Sequence, residues 1–569
     1  MHQSSRLSRA SIAGLGLVAA ACSDAGTPTN PVVTPVVAPT TCTTPQTLAV
    51  GGVSAGMTGT SACIGGIPAA AEYALVAFNG ATVTGTSSFT VTATGATAPG
   101  AQTDLLSAAG SSAALSVLAT PATTFQRSRS FELGLRARER AALTPLIPSA
   151  RSWVASRSGS RPSFDVIPSS VTVGQILRLN ANSSVACASP TYRGGRVVAV
   201  TNKAIVVADT LNPTGGYTDA EYASLGATFD TLVDPLDRSA FGAPTDIDGN
   251  GRVLMFFTKT VNDLTPTTSA SYVGGFFFAR DLFPQVATPN YQACDGSNMG
   301  EMFYIMVPDP TRGGAFTKTS VATEVTGTLA HEYQHLINAS RRMYVNNAKD
   351  FEESWLDEGL AHEAEELLFY RVSGLAPRQD IDATAIRATS TTVSAFNNYE
   401  SSNFGRFGDY LGKPSDYSPY ADNDSLATRG ASWAFLRYAA DHRGTSDGTT
   451  WYELVNSVNS GFANLAAVFG SGVTSELRDW GVSVIADDLA GVGTAYQQPS
   501  WNFRSMYAAL LNNSVFPLVE PSLGSGSHAV SLVRGANAYL RFAVAAGGSA
   551  TVSWTGAPPA VQFSLVRLR

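Results

Sequence analysis

The sequence predicts an α+β, multidomain fold, and three observations predict it. Residues 42–122 and 516–569 alternate apolar and polar positions in strand fashion. Residues 165–310 mix such strands with stretches of helical spacing, and from Ala322 to about Asn512 the spacing is mainly helical. A chain of 569 residues is long enough for several units at roughly 100–200 residues per domain. Only 14% of the residues are charged and the formal net charge is −7, which excludes a general nucleic-acid binder. A hydrophobic fraction of 44% excludes a disordered chain.

The N-terminus reads as an address. Arg6 and Arg9 precede an apolar stretch of 12 residues, 10–21, which ends in three alanines before Cys22. Residues 1–21 are a signal peptide by charge, length and small residues at the cut. A cysteine directly after those residues resembles a bacterial lipoprotein signal. That resemblance implies lipidation of Cys22 and attachment to the membrane at the bacterial cell envelope, with plain secretion as the alternative. Residues 22–41 are a Pro/Thr-rich tether, expected to be extended. EYALVAFNG (72–80) and SSFTVTATG (87–95) make 42–122 a β-sandwich domain. GVSAG (52–56) matches a nucleophile-elbow pattern but lacks the strand–turn–helix context, so it carries no chemistry.

Residues 123–164 form an Arg-rich linker in which FELGLRARERAALTPLI suits one amphipathic helix. It reads as a solvated connecting helix, with a propeptide-like segment open to proteolysis as the alternative. Residues 165–515 form the central domain. VGQILRLN, GRVVAVTNKAIVVAD and GRVLMFFTK are its clearest strands, and residues 218–234 a helix opened by a Thr218/Glu221 capping box. A second small β domain closes the chain at 516–569.

The chemistry lies in TLAHEYQHLIN (328–338). His331 and His335 stand at i and i+4, one turn apart on one helix face, with Glu332 beside them. Two imidazoles so placed can reach one tetrahedral ion, and Glu332 can act as general base toward a water the ion acidifies. With 6 histidines in the chain, this spacing arises by chance about 0.3% of the time. The positions that would extend the motif to a metzincin hold Asn338 and Arg341, which excludes that class. A catalytic zinc needs a third protein ligand.

FEESWLDEGLAHEAEELLF (351–369) follows. Its Trp355-Leu356-Asp357-Glu358-Gly359-Leu360-Ala361 resembles the WLxEGxA segment of gluzincin metallopeptidases, and residues 170–500 are most similar to the hyicolysin-like peptidases. The resemblance implies a zincin-like catalytic domain, with a mixed sheet and a mainly helical C-terminal subdomain, flanked by the small β-sandwich domains. It implies Glu358 as the third zinc ligand. The 22 residues between His335 and Glu358 are a longer connection than is usual in that clan. Glu353 and His362 are candidates to support the ligands from behind. Tyr420, Tyr438 and His442 are candidates to stabilise an oxyanion, Tyr438 reading more as a core residue.

PTDIDGNGRV (244–253) sets Asp246, Asp248 and Asn250 at alternate positions, like the first half of a calcium loop; a tight hairpin turn uses the same residues. If Cys22 is an anchor, four cysteines remain, and domain locality favours Cys42–Cys63 and Cys187–Cys294. The expectation is an exported, monomeric zinc metallopeptidase acting on a protein or peptide substrate, with calcium as a second ion and no nucleic-acid partner. A zinc hydrolase of another amide or ester, and a surface-binding protein with a residual zinc site, are the alternatives.

Overall fold

Strand alternation at the N-terminus becomes four strands: β1 (Val53–Met57), β2 (Ser61–Ile64), β3 (Ala71–Asn79) and β4 (Thr86–Thr94). The structure is a computed structural model and describes residues 45–57, 59–100, 129–156, 167, 170–266, 272–423, 425–511 and 515–569. The signal peptide, the tether, Cys22 and Cys42 lie outside the described residues. Helices α1 (Arg129–Leu143) and α2 (Ile147–Ser156) come next, divided by a 3-10 turn at Pro145. Proline lacks the N–H that would continue the helix, so the one helix expected here becomes two.

The central domain begins with β5 (Ile176–Asn180), β6 (Tyr192–Val200) and β7 (Ala204–Asp209). Helices α3 (Asp219–Thr228) and α4 (Asp234–Phe241) follow, joined by a π-helical turn, and the Thr218/Glu221 capping box opens α3. Then come β8 (Val253–Phe257), α5 (Lys259–Asn262), β9 (Gly275–Phe277) and β10 (Met302–Ile305). These strands form one mixed sheet in the order β5-β6-β7-β8-β10-β9. The β7–β8 and β8–β10 pairs are parallel and the rest antiparallel. β9 is therefore an edge strand, which keeps one side free of sheet partners.

Beyond the sheet the chain is helical. The long α6 (Lys318–Ser340) and α7 (Ser354–Ser373) pack on each other. Helices α8 (Ala383–Arg387), α9 (Ser390–Ala395), α10 (Ser401–Leu411) and α11 (Leu426–His442) follow. Then come α12 (Asp447–Val455), α13 (Gly461–Phe469), α14 (Val473–Ala486) and α15 (Phe503–Leu510). Two glycines set the spacing. A Cβ at Gly275 would come within 2.8 Å of Tyr304 O and Thr328 Cγ2, so its absence lets β9 lie against α6. A Cβ at Gly359 would clash with Ser432 Oγ, so its absence lets α7 lie against α11. No helix among the described residues is long and apolar enough to cross a membrane.

The chain ends in β11 (Gly526–Val533), β12 (Asn537–Val544), β13 (Ala550–Thr555) and β14 (Val561–Arg567). Here the structure corrects the reading of two separate β domains. One sheet runs β1-β14-β3-β12 and the other β11-β4-β13-β2, so N- and C-terminal strands alternate within a single sandwich. All nine residues of β3 are buried. A strand covered on both faces needs a neighbour on each edge as well, and β14 and β12 supply them along its length. The inner faces enclose Leu75, Val91, Leu540, Val552 and Leu565, each contributing about 1.5–3 kcal/mol by leaving water. The outer side of β3 and β14 joins the main core through Val76, Phe78 and Val566, and α14 packs there.

The Arg-rich segment is the second correction. α1 is not solvated: Leu135 and Leu143 are fully buried, and Glu132, Arg136 and Glu139 are almost so. Its arginines end on carboxylates and carbonyls of the central domain, which the sequence spacing could not reveal. The disulfide Cys187–Cys294 is present and ties the segment after β5 to the one before β10 across 107 residues. Cys63 is disulfide-bonded, and its expected partner Cys42 lies outside the described residues.

Candidate metal centre

α6 presents His331 and His335 one turn apart, their rings 4.9 Å from centroid to centroid. α7 brings Glu358 opposite. His331 Nε2 lies 3.4 Å from Glu358 Oε2, and His335 Nε2 lies 3.7 Å from Glu358 Oε1. One ligand atom from each of the three falls within 4.8 Å of the others, so they could hold a metal ion. All are enclosed: His331 is 2% exposed, Glu332 2%, His335 1% and Glu358 0%.

The far nitrogens are held from behind. Glu365 Oε1 lies 2.9 Å from His331 Nδ1, and Asp357 Oδ2 lies 2.9 Å from His335 Nδ1. A carboxylate on Nδ1 fixes the proton there and leaves Nε2 as a lone-pair donor. Both Nε2 atoms then face Glu358, the donor set of two imidazoles and a carboxylate that suits zinc. By the chemistry of their donor atoms, the residues fit the ion. The sequence suggests Glu353 and His362 for this support from behind; the structure puts His362 beside His331, but Glu353 elsewhere. Glu353 accepts from Trp355 Nε1 at 2.7 Å. His362 packs on His331 with centroids 4.9 Å apart and shares Glu365, its Nδ1 lying 3.2 Å from Oε2. His331, His362 and Glu365 form a second group able to approach one ion, but Glu365 already holds both Nδ1 atoms.

Charge completes the centre. Burial works against ionisation of Glu358, yet Arg429, 2.7 Å away, and then His335 and His331 hold its carboxyl well below the usual range. Burial opposes protonation of His335, but the Asp357 charge outweighs it and raises the imidazole to about 9, so a metal binding at Nε2 must displace a proton there. Burial, and then the Arg406 charge, push His362 well below the usual histidine range. Arg429 escapes sequence reasoning, because a single arginine at the start of α11 carries no pattern. Glu365 is legible in principle: it lies seven residues after Glu358, two turns on along the same face of α7.

Glu332 accepts from Phe277 N on the edge strand at 2.9 Å. The catalytic candidate is thus oriented by the edge strand β9. The oxyanion candidates are placed elsewhere. Tyr420 Oη donates to Ala81 O, Tyr438 Oη to Ala495 O, and His442 lies against Tyr438 O and Thr494 O.

Over 224 residues the chain is 32% identical to the neutral metalloprotease ShpI of Staphylococcus hyicus. The matched stretch is 39% of this chain and 44% of that protein, so the chain spans less than half the length of that relative. No family model matches. The relative is named a metalloprotease, and the three-residue group of this chain could hold a metal ion.

The loop before β8 holds a second acidic group. Asp246, Asp248 and Glu301 approach one another, whereas Asn250 spends its side chain on Asp248 Oδ2 and Arg252 N. The sequence suggests Asn250 where the structure places Glu301, a residue 51 positions on that only the β8–β10 pairing brings near.

Proposed function

We propose that this protein is a zinc metallopeptidase that hydrolyses peptide bonds. The observation that carries the reading is the centre itself: two Nε2 atoms and a carboxylate converge, each imidazole is fixed by its own carboxylate, and Glu332 stands beside them. His331, His335 and Glu358 would hold the zinc, which when bound supplies a Lewis acid that polarises the scissile carbonyl and acidifies water to about pKa 7. Glu332 takes the proton of the attacking water and passes it to the leaving amine. Phe277 N orients the carboxylate that does this. Arg429 keeps Glu358 anionic, and the enclosed setting strengthens each of these interactions.

Glu332→Gln should bind stoichiometric zinc and lose casein cleavage by about 10²–10⁴-fold, the usual worth of a general base. Glu358→Ala should lower zinc occupancy. Wild-type protein with one zinc per chain and no cleavage of any protein tested would refute the peptidase reading.

The same proposal covers location and the second ion. Export through residues 1–21 and a lipid on Cys22 suit a chain carrying the Cys187–Cys294 disulfide, since such bonds persist in oxidising compartments. Calcium is proposed at Asp246, Asp248 and Glu301, because Glu301 Oε2 is buried without a hydrogen-bond partner among the described residues. Calcium at 100 times its Kd should stabilise the wild type by about 2.7 kcal/mol, seen as a higher Tm. Glu301→Gln should abolish that rise.

A further inference from the structure

We propose that α1 is an internal inhibitor: it lies over the metal centre and along the edge strand β9, and must move aside before a polypeptide can enter. The inference rests on the peptidase reading. A peptidase acting on folded or extended proteins needs an open groove at its metal, yet the four central residues are at most 2% exposed. Part of what closes the centre is α1.

Its contacts occupy the groups an extended substrate would use. An edge strand binds a peptide by lending its free backbone groups. In β9 and the turn after it, Glu139 Oε1 already accepts from Ala279 N at 2.7 Å, and Arg136 Nη1 donates to Phe277 O at 3.4 Å. The same Arg136 Nη1 lies 2.6 Å from Glu139 Oε2, so the two side chains act as a clip on the strand. Phe131 packs edge-on against Phe276 at 5.4 Å. A pocket lined by Arg136, Glu139, Phe277, His335 and Asp357 lies between α1 and the histidine helix.

Glu132, one turn before Arg136, pairs with it at 3.9 Å. It is 5% exposed, and burial, then the charges of Glu358 and Glu332, raise its carboxyl to about 8 against the opposing charge of Arg136. Its carboxyl thus lies within reach of the charges of Glu358 and Glu332. The outer rim of α1 is held differently. Arg140 meets Asp350 at 3.0 Å, both side chains more than a third exposed, and Thr144 Oγ1 donates to Asp350 Oδ1 at 2.7 Å. Exposed pairs of this kind contribute little, so what holds α1 down is its buried side, Leu135, Leu143 and the Arg136–Glu139 clip.

The test compares zinc-loaded full chain with Arg136→Ala/Glu139→Ala, and reads three quantities: casein cleavage, zinc loss to a chelator, and binding of a fluorescent peptide hydroxamate. The double variant should cleave casein about tenfold faster, lose zinc faster and bind the hydroxamate about tenfold more tightly. A synthetic peptide of residues 129–143 should reverse all three, and its Glu132→Ala form should do so less well. Equal zinc loss and equal hydroxamate affinity in the two folded proteins would overturn the proposal. Should the double variant not fold, Arg140→Ala at the exposed rim takes its place in the same measurements, and the same two equalities would overturn the proposal. If access to the hydroxamate rises while neither protein cuts casein, the covering role stands and the peptidase reading falls.

Discussion

Asp357 and Glu365 show how much of the metal centre resides in residues that never touch the metal. Each sits 2.9 Å from an Nδ1 atom and so decides which nitrogen of its histidine points inward. Outer partners of this kind typically govern metal affinity by 10–100-fold. Asp357→Asn and Glu365→Gln should therefore each weaken zinc binding about 10–100-fold, measured by competition with a calibrated chelator. Unchanged affinity in either variant would mean that the carboxylate plays no part in orienting its histidine. Glu353→Gln, whose parent residue serves Trp355, should leave zinc affinity unchanged.

At the scale of elements, β9 and α6 must touch for Glu332 to be held by Phe277 N. Gly275 permits that contact, because any Cβ there would press on Tyr304 O and Thr328 Cγ2 at 2.8 Å. Gly275→Ala should cost about 1–3 kcal/mol through overpacking and lower kcat/KM as β9 retreats from α6. A thermal melt and casein kinetics on the same preparation would check both, and a variant with unaltered Tm and kinetics would show that the strand has room. The helices were largely readable as elements. The 331–335 spacing, the capping box at Thr218 and the apolar run of α11 all follow from local periodicity. The break at Pro145 departs from the single helix expected over that segment, because proline there lacks the N–H that would continue the helix.

For the whole molecule, the sandwich is the informative part. β3 belongs to the N-terminal segment but is paired along both edges by C-terminal strands. Deleting residues 516–569 should therefore unfold the N-terminal strands as well, rather than trim an accessory domain. The truncated chain should be largely insoluble or bind ANS, and its Tm should fall, because Val76, Phe78 and Val566 also close the main core. A truncated protein with an intact melting transition would show that the two β segments fold independently.

Local chemistry was determined by the sequence alone: the helical pair of histidines, Glu332 between them, and most strand and helix types. These depend on neighbours within a few turns, or on a motif, and periodicity carries them. Tertiary structure alone decided what lies between distant segments. It put Arg429 on Glu358, Glu301 beside Asp248, C-terminal strands on both edges of β3, and α1 over the metal centre. Burial and pairing across about 50 to several hundred residues leave no periodic trace in a single chain, because such contacts arise from packing and not from local geometry.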